Sequence, residues 1–122
     1  MAYNLKMSSI PITVVELSLF LRQAESIWDE VERQEFVDFI ARNPETGDVI
    51  PDTGGVRKVR WRRQGTGKRG GARVIYFYRD ARMPLFLILI YAKARRENMT
   101  ADEKKQVRVL ATALKQSYGR RK

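Results

Sequence analysis

GGVRKVRWRRQGTGKRGGARVIYFY, residues 54–78, alternates and pauses in a way that spells out a β-hairpin. Through residues 56–63 the period is two: Val59 and Trp61 alternate with Lys58, Arg60 and Arg62. A strand sends successive side chains to opposite faces, so one face packs while the other presents three cations in a row. The glycine-rich residues 64–71 join this strand to a second over residues 73–79. Asp80-Ala81-Arg82-Met83-Pro84 is the next turn. Residues 85–92 form a third strand, apolar on both sides and therefore expected at the centre of the sheet.

Upstream, Thr46-Gly47-Asp48 and Pro51-Asp52-Thr53-Gly54-Gly55 read as turns. Asn43-Pro44 stops a helical region, because proline disfavours helical geometry in the residue before it. Within residues 18–42, Leu21, Ala24, Ile27, Trp28, Val31, Phe36, Phe39 and Ile40 recur at three- and four-residue intervals, as one amphipathic helix or a pair would require. The acids Glu25, Asp29, Glu30, Glu32, Glu35 and Asp38 read as the solvated face of that helix rather than as a metal cluster. Ile12, Val14, Val15 and Leu17 make a short β-branched edge strand ahead of it. Downstream, Thr100 and Glu103 are spaced as a capping box. The helix they open has a stripe of Val107, Leu110, Ala111, Leu114 and Tyr118. The expected product is a single α+β domain over residues 1–122, with helices packed on one face of an antiparallel sheet.

The 122 residues hold 24 Lys and Arg against 14 Asp and Glu, and the net charge of +10 is unevenly placed. Residues 1–50 carry four cations and nine acids; residues 51–122 carry twenty cations and five acids. Solubility does not require such a split, whereas an electropositive face for a polyanion does. Arg57 to Arg73 holds eight Lys/Arg and no acid. Like charges across neighbouring strands destabilise a sheet, so an anionic partner that neutralises them is the natural explanation.

Several function classes are excluded. Without cysteine there is no disulfide, thiolate nucleophile or thiolate metal site, and without histidine no Ser-His-Asp or Cys-His constellation. Catalysis would have to run on Lys, Arg, Tyr, Asp or Glu. The loop GTGKRGG lacks the spacing of a phosphate-binding P-loop and leads into a strand rather than a helix, so it reads as a hairpin carrying two cations. The opening residues have no basic region followed by a long apolar run, and residues 85–91 are too short to span a bilayer, so cytoplasm and no membrane are expected. Tyr76, Phe77 and Tyr78 are candidates to stack bases, with Phe77 expected in the core by alternation. Trp28 and Trp61 are read as packing residues. Lys93, Arg95 and Arg96 follow the third strand, where a loop can bring them beside the cations of the others.

The run GGVRKVRW, the following KRGGARVIYFY, and LILIYAK with a later MTADEKK resemble the RelE/ParE superfamily of bacterial toxins, and within it the HigB-like branch of type II toxin–antitoxin modules. The likeness covers about residues 43–114. It implies a RelE-like fold: an N-terminal strand and helices packed on an antiparallel sheet, with a C-terminal helix. It further implies a ribosome-dependent endoribonuclease that cleaves mRNA in the A site of the small subunit and is silenced by a cognate antitoxin with a helix-turn-helix DNA-binding domain. In such toxins the ribose 2′-hydroxyl attacks the scissile phosphate without metal or other cofactor. By position, Lys58 and Arg60 match the paired cations of the family's second strand, Arg73 the arginine that opens the next, and Lys93 with Arg95 the basic pair at the last strand's exit. These five are the expected catalytic residues.

Fixed cations stabilise the charge that grows on the non-bridging oxygens. Arg73, read as an exposed strand arginine whose loss would spare the fold, suits that clamp. Lys58, crowded by Arg60 and Arg62, is the expected acceptor of the 2′-hydroxyl proton. Lys93 or Arg95 would neutralise the leaving 5′-oxygen. Arg57, Arg62, Arg63, Lys68, Arg69 and Arg96 are the expected RNA-binding cations. Where several members carry a tyrosine or histidine beyond the last strand, this chain reads Glu97-Asn98-Met99-Thr100. A ParE-like inhibitor of DNA gyrase and a non-catalytic nucleic-acid-binding module are the competing readings.

Overall fold

The computed structural model describes residues 10–62 and 71–119. In chain order the elements are β1 (Val14–Glu16), α1 (Ser18–Glu25), α2 (Glu30–Arg42), β2 (Asp48–Val49), β3 (Val56–Trp61), β4 (Ala72–Phe77), β5 (Leu85–Ala92) and α3 (Ala101–Gly119). The strands form one sheet of order β1-β5-β4-β3-β2. The helical region of residues 18–42 is a pair. Asp29 starts the second member by accepting the Glu32 N–H on Oδ1 at 2.8 Å, the side-chain cap that satisfies an otherwise orphaned donor. The capping box at the last helix is closed in both directions. Glu103 N–H donates to Thr100 Oγ1 at 3.0 Å and Thr100 N–H to Glu103 Oε1 at 2.9 Å.

Helices cover both faces of the sheet, a correction to the one-face layout expected from sequence. Phe20, Ala24, Trp28, Phe36 and Ile40 of the N-terminal pair and the turn within it pack on Val74, Tyr76, Leu85 and Leu87. On the other face α3 buries Val107 and Ala111 against Ile75, Phe77, Leu89 and Tyr91. The physical reason is β5, which is apolar on both sides and so leaves neither face fit for water. Three smaller differences follow. The sheet is mixed, because the edge strand β1 runs parallel to β5 with Val14 opposite Leu85. The middle position belongs to β4, with β5 between it and β1. The segment around Asp48 contributes a two-residue strand, Asp48 and Val49 lying opposite Lys58 and Arg57.

A bulge sets which residues of β5 reach which face. Ile75 lies opposite Leu89 but Tyr76 opposite Leu87, so Ile88 is an extra residue. Strict alternation from Leu85 would place Tyr91 with Leu87 against the N-terminal helices. With the bulge, Ile88 and Leu89 both join the cluster beneath α3, and Tyr91 follows them there. Gly71 immediately precedes the return strand with φ +61°, and a Cβ there would stand 2.4 Å from the Trp61 carbonyl oxygen. Only glycine permits that approach.

Candidate active site

Alternation along β3 sends Lys58 and Arg60 to the face that carries α3, opposite Ile75 and Arg73 of β4. Arg73 is 2% exposed, which corrects the expectation of an exposed strand arginine. A guanidinium taken out of water needs a charged partner, and Glu97 supplies it from the turn after β5. Its Oε2 accepts from Arg73 Nε at 3.4 Å and its Oε1 from Nη2 at 3.4 Å. Lys93, four residues earlier in the same turn, reaches the same Oε1 at 3.4 Å. Lys58 Nζ donates to Asn98 Oδ1 at 2.8 Å and to the Glu97 carbonyl at 3.5 Å. Tyr91 O–H donates to that carbonyl at 3.1 Å. Cations from β3, β4 and the exit of β5 therefore meet on residues 97 and 98.

Beside this meeting point lies a cleft of about 160 Å³ lined by Ile50, Lys58, Ile75, Tyr91, Asn98, Met99 and Lys104. Its rim is fixed by Arg96, whose guanidinium lies 4.3 Å from the Tyr91 ring centroid and pairs with Glu103 at 2.5 Å. That pair ties the turn to the first turn of α3. Partial burial pushes the Glu97 carboxyl up, but hydrogen bonds and charge from Arg73 and Lys93 outweigh it and hold the group below the usual glutamate range. Burial raises the Tyr91 phenol, and the acids Glu97 and Glu103 add to the effect against Arg96 and Arg73. The arrangement can hold an anion between fixed cations, with a carboxylate and a phenol within reach of it.

The expected residues fare differently. Lys58, Arg73 and Lys93 come together; Arg60 lies opposite Arg73 with its side chain exposed. Arg95 sits exposed in the same turn as Lys93, its N–H donating to the Ala92 carbonyl at 3.0 Å. Arg96 reaches the site as the brace just described, and Arg62 is exposed beyond the end of β3. Arg57 points the other way. Its Nη1 donates to the Gly47 and Glu45 carbonyls at 2.7 and 3.1 Å, which fastens the segment before β2 to the sheet. Arg63, Lys68 and Arg69 lie outside the described residues.

Of the aromatic candidates for base stacking, Tyr76 is corrected, because it is fully buried. Phe77 is 1% exposed, in the core as expected, and Tyr78 is half-buried against the cluster beneath the N-terminal helices. The Tyr76 hydroxyl donates to the Pro44 carbonyl and accepts the Gly47 N–H, both at 2.8 Å, so its place is structural. Trp61 packs on Phe36 and Phe39 at 5.4 and 5.1 Å between ring centroids, as expected of a packing residue. Of the acids expected on a wet helix face, Glu32 alone among the described ones is buried. Sequence reasoning missed Tyr91, Asn98 and Lys104. The one signal for Asn98 was its place in a stretch departing from the family's pattern.

The sheet thus has β1 parallel to its neighbour, two helices on one face, and a cationic centre beside a third helix on the other. A family described as the RelE toxin of the RelE/RelB toxin–antitoxin system matches residues 19–120. The chain belongs to the RelE toxin family. Among solved structures, a double arginine-to-alanine mutant of the E. coli toxin RelE in the free state superposes with a TM-score of 0.52. The identity is 14%, and the match covers 83% of this chain and 97% of that one. At that identity the structural likeness speaks for a RelE fold, while the family assignment rests on the sequence match. No described helix is long and apolar enough to cross a membrane.

Proposed function

We propose that this RelE-family protein is the toxin of a type II toxin–antitoxin module and inhibits translation in the cytoplasm by cleaving mRNA in the ribosomal A site. It acts as a HigB-like endoribonuclease held inactive by an antitoxin with a helix-turn-helix domain. The supporting observation is the convergence of Lys58, Arg73 and Lys93 on one small region of one sheet face. In-line attack by the ribose 2′-hydroxyl builds charge on the non-bridging phosphate oxygens, and cations fixed before the reaction stabilise it without reorganising. Arg73 is the clamp, since its planar fork matches two oxygens of a phosphate. Lys93, with Arg95 in the same turn, faces the leaving 5′-oxygen. Arg60 near the end of β3 and Arg62 just beyond it meet neighbouring phosphates, and products are a cyclic phosphate and a 5′-hydroxyl end.

Primer-extension mapping of message after brief induction in cells tests this reading. Cuts within translated codons are expected. DNA damage without cuts would point instead to gyrase, and unimpaired growth to a nucleic-acid-binding module with no chemistry.

A further inference from the structure

We propose that Glu97 is the catalytic residue that accepts the proton of the attacking 2′-hydroxyl. The inference deepens the preceding reading and depends on it. Lys58, the acceptor expected from sequence, already donates to the Asn98 side chain at 2.8 Å and the Glu97 carbonyl at 3.5 Å. Those contacts aim its amine at residues 97 and 98. Glu97 has the complementary geometry. Its carboxylate sits between Arg73 and Lys93, where an anionic phosphate would bind, yet its side chain keeps 45% of its exposure. It is thus open to substrate from one side and held by cations from the other.

Both contacts to Arg73 are 3.4 Å, well beyond the 2.7–2.9 Å typical of a charge-assisted pair. A phosphate oxygen can compete for these long contacts while the carboxylate shifts toward the ribose. The backbone of residue 97 stays pinned meanwhile by Tyr91 and Lys58. A phosphate that draws the Arg73 and Lys93 charges to itself relieves their hold on the carboxylate, which then gains basicity as the substrate binds.

The step balances. Glu97 Oε takes the 2′-O–H proton as the 2′-oxygen bonds to phosphorus and the bond from phosphorus to the 5′-oxygen breaks. The 5′-oxygen leaves with a proton from the Lys93 ammonium. Glu97 then returns its proton to Lys93, with which it is in direct contact at 3.4 Å, and the site is reset with no other reactant.

The test is single-turnover cleavage of message on programmed ribosomes by the full chain. Glu97→Gln keeps the shape and loses the basicity; its cleavage rate should fall about 10²–10⁴-fold, the usual worth of a general base. Its affinity for the programmed ribosome should be unchanged or tighter, because a negative charge has left a phosphate site. Glu97→Ala should regain part of its rate when formate is added, which a merely structural role would not allow. If Glu97→Gln does not fold at the assay temperature, Glu97→Asp carries the test. It keeps the charge but withdraws it by a methylene, and a loss of about 10²-fold is expected. Wild-type cleavage with Glu97→Gln, or with Glu97→Asp where that variant carries the test, within about threefold of it or faster overturns the assignment and leaves the nuclease reading standing. Absence of formate rescue in a folded Glu97→Ala overturns it too. A wild-type chain that leaves ribosome-bound message intact overturns both.

Discussion

Replacing Arg73 separates its two roles, because the residue is at once a buried brace and the proposed phosphate clamp. Its side chain is 3% exposed and its guanidinium is held by Glu97. Arg73→Ala removes two buried methylenes beyond Cβ, about 1.6 kcal/mol at roughly 0.8 kcal/mol each. For a domain of this size that lowers the melting temperature by about 6 °C. Arg73→Lys keeps the charge and most of the stem, so its loss of stability should be much smaller. It cannot present two parallel N–H groups to a phosphate, however. Cleavage by Arg73→Lys should therefore fall about 10²-fold, the scale of losing one preorganised donor. The measurements are thermal unfolding by circular dichroism and single-turnover cleavage on programmed ribosomes, with both variants side by side. A melting temperature for Arg73→Ala equal to wild type would refute the reasoning from burial. A fully active Arg73→Lys would refute the clamp.

Three further outcomes are expected. Thr100→Ala opens the capping box and should cost about 1 kcal/mol, read as a melting temperature lower by about 4 °C; no change would mean that the Arg96–Glu103 pair alone holds the start of α3. Affinity for single-stranded RNA should decline with salt by about 0.7 log units per phosphate contact for each log of salt, and Lys58→Ala should lessen that slope by about 0.7; an unchanged slope would remove Lys58 from the interface. The third concerns acid. The Arg96 hydrogen bonds hold the Glu103 carboxyl below its ordinary 4.5 against the effect of burial, with help from the Thr100 N–H. A depressed folded value means that the unfolded chain binds the proton more readily. The stabilisation is then complete above 4.5 and is lost as pH falls through the lower folded value. Glu103→Gln should lower the melting temperature at neutral pH and flatten its decline below about pH 5. An unaltered pH profile would count against the pair.

What the sequence determined was set by local rules. The two-residue alternation around Trp61, the three- and four-residue spacing around Phe36, the stop at Pro44 and the capping box at Thr100 each act within one turn or one strand. Each element they announced is present. The expectation of an anion site from the cations of residues 57–73 is local in the same way: charge of one sign along one stretch of chain is visible without knowing what lies beside it. The site's composition was decided by contacts between elements. The bulge at Ile88 is invisible in an unbroken apolar run, yet it turns Tyr91 from one face to the other. Arg73 and Glu97 are 24 residues apart, and only the pairing of β4 with β5 makes one the counter-charge of the other. Arg57 and Lys58 are adjacent cations with opposite fates, one fixing a loop and one facing the cleft, because a strand cannot send two successive side chains to the same side.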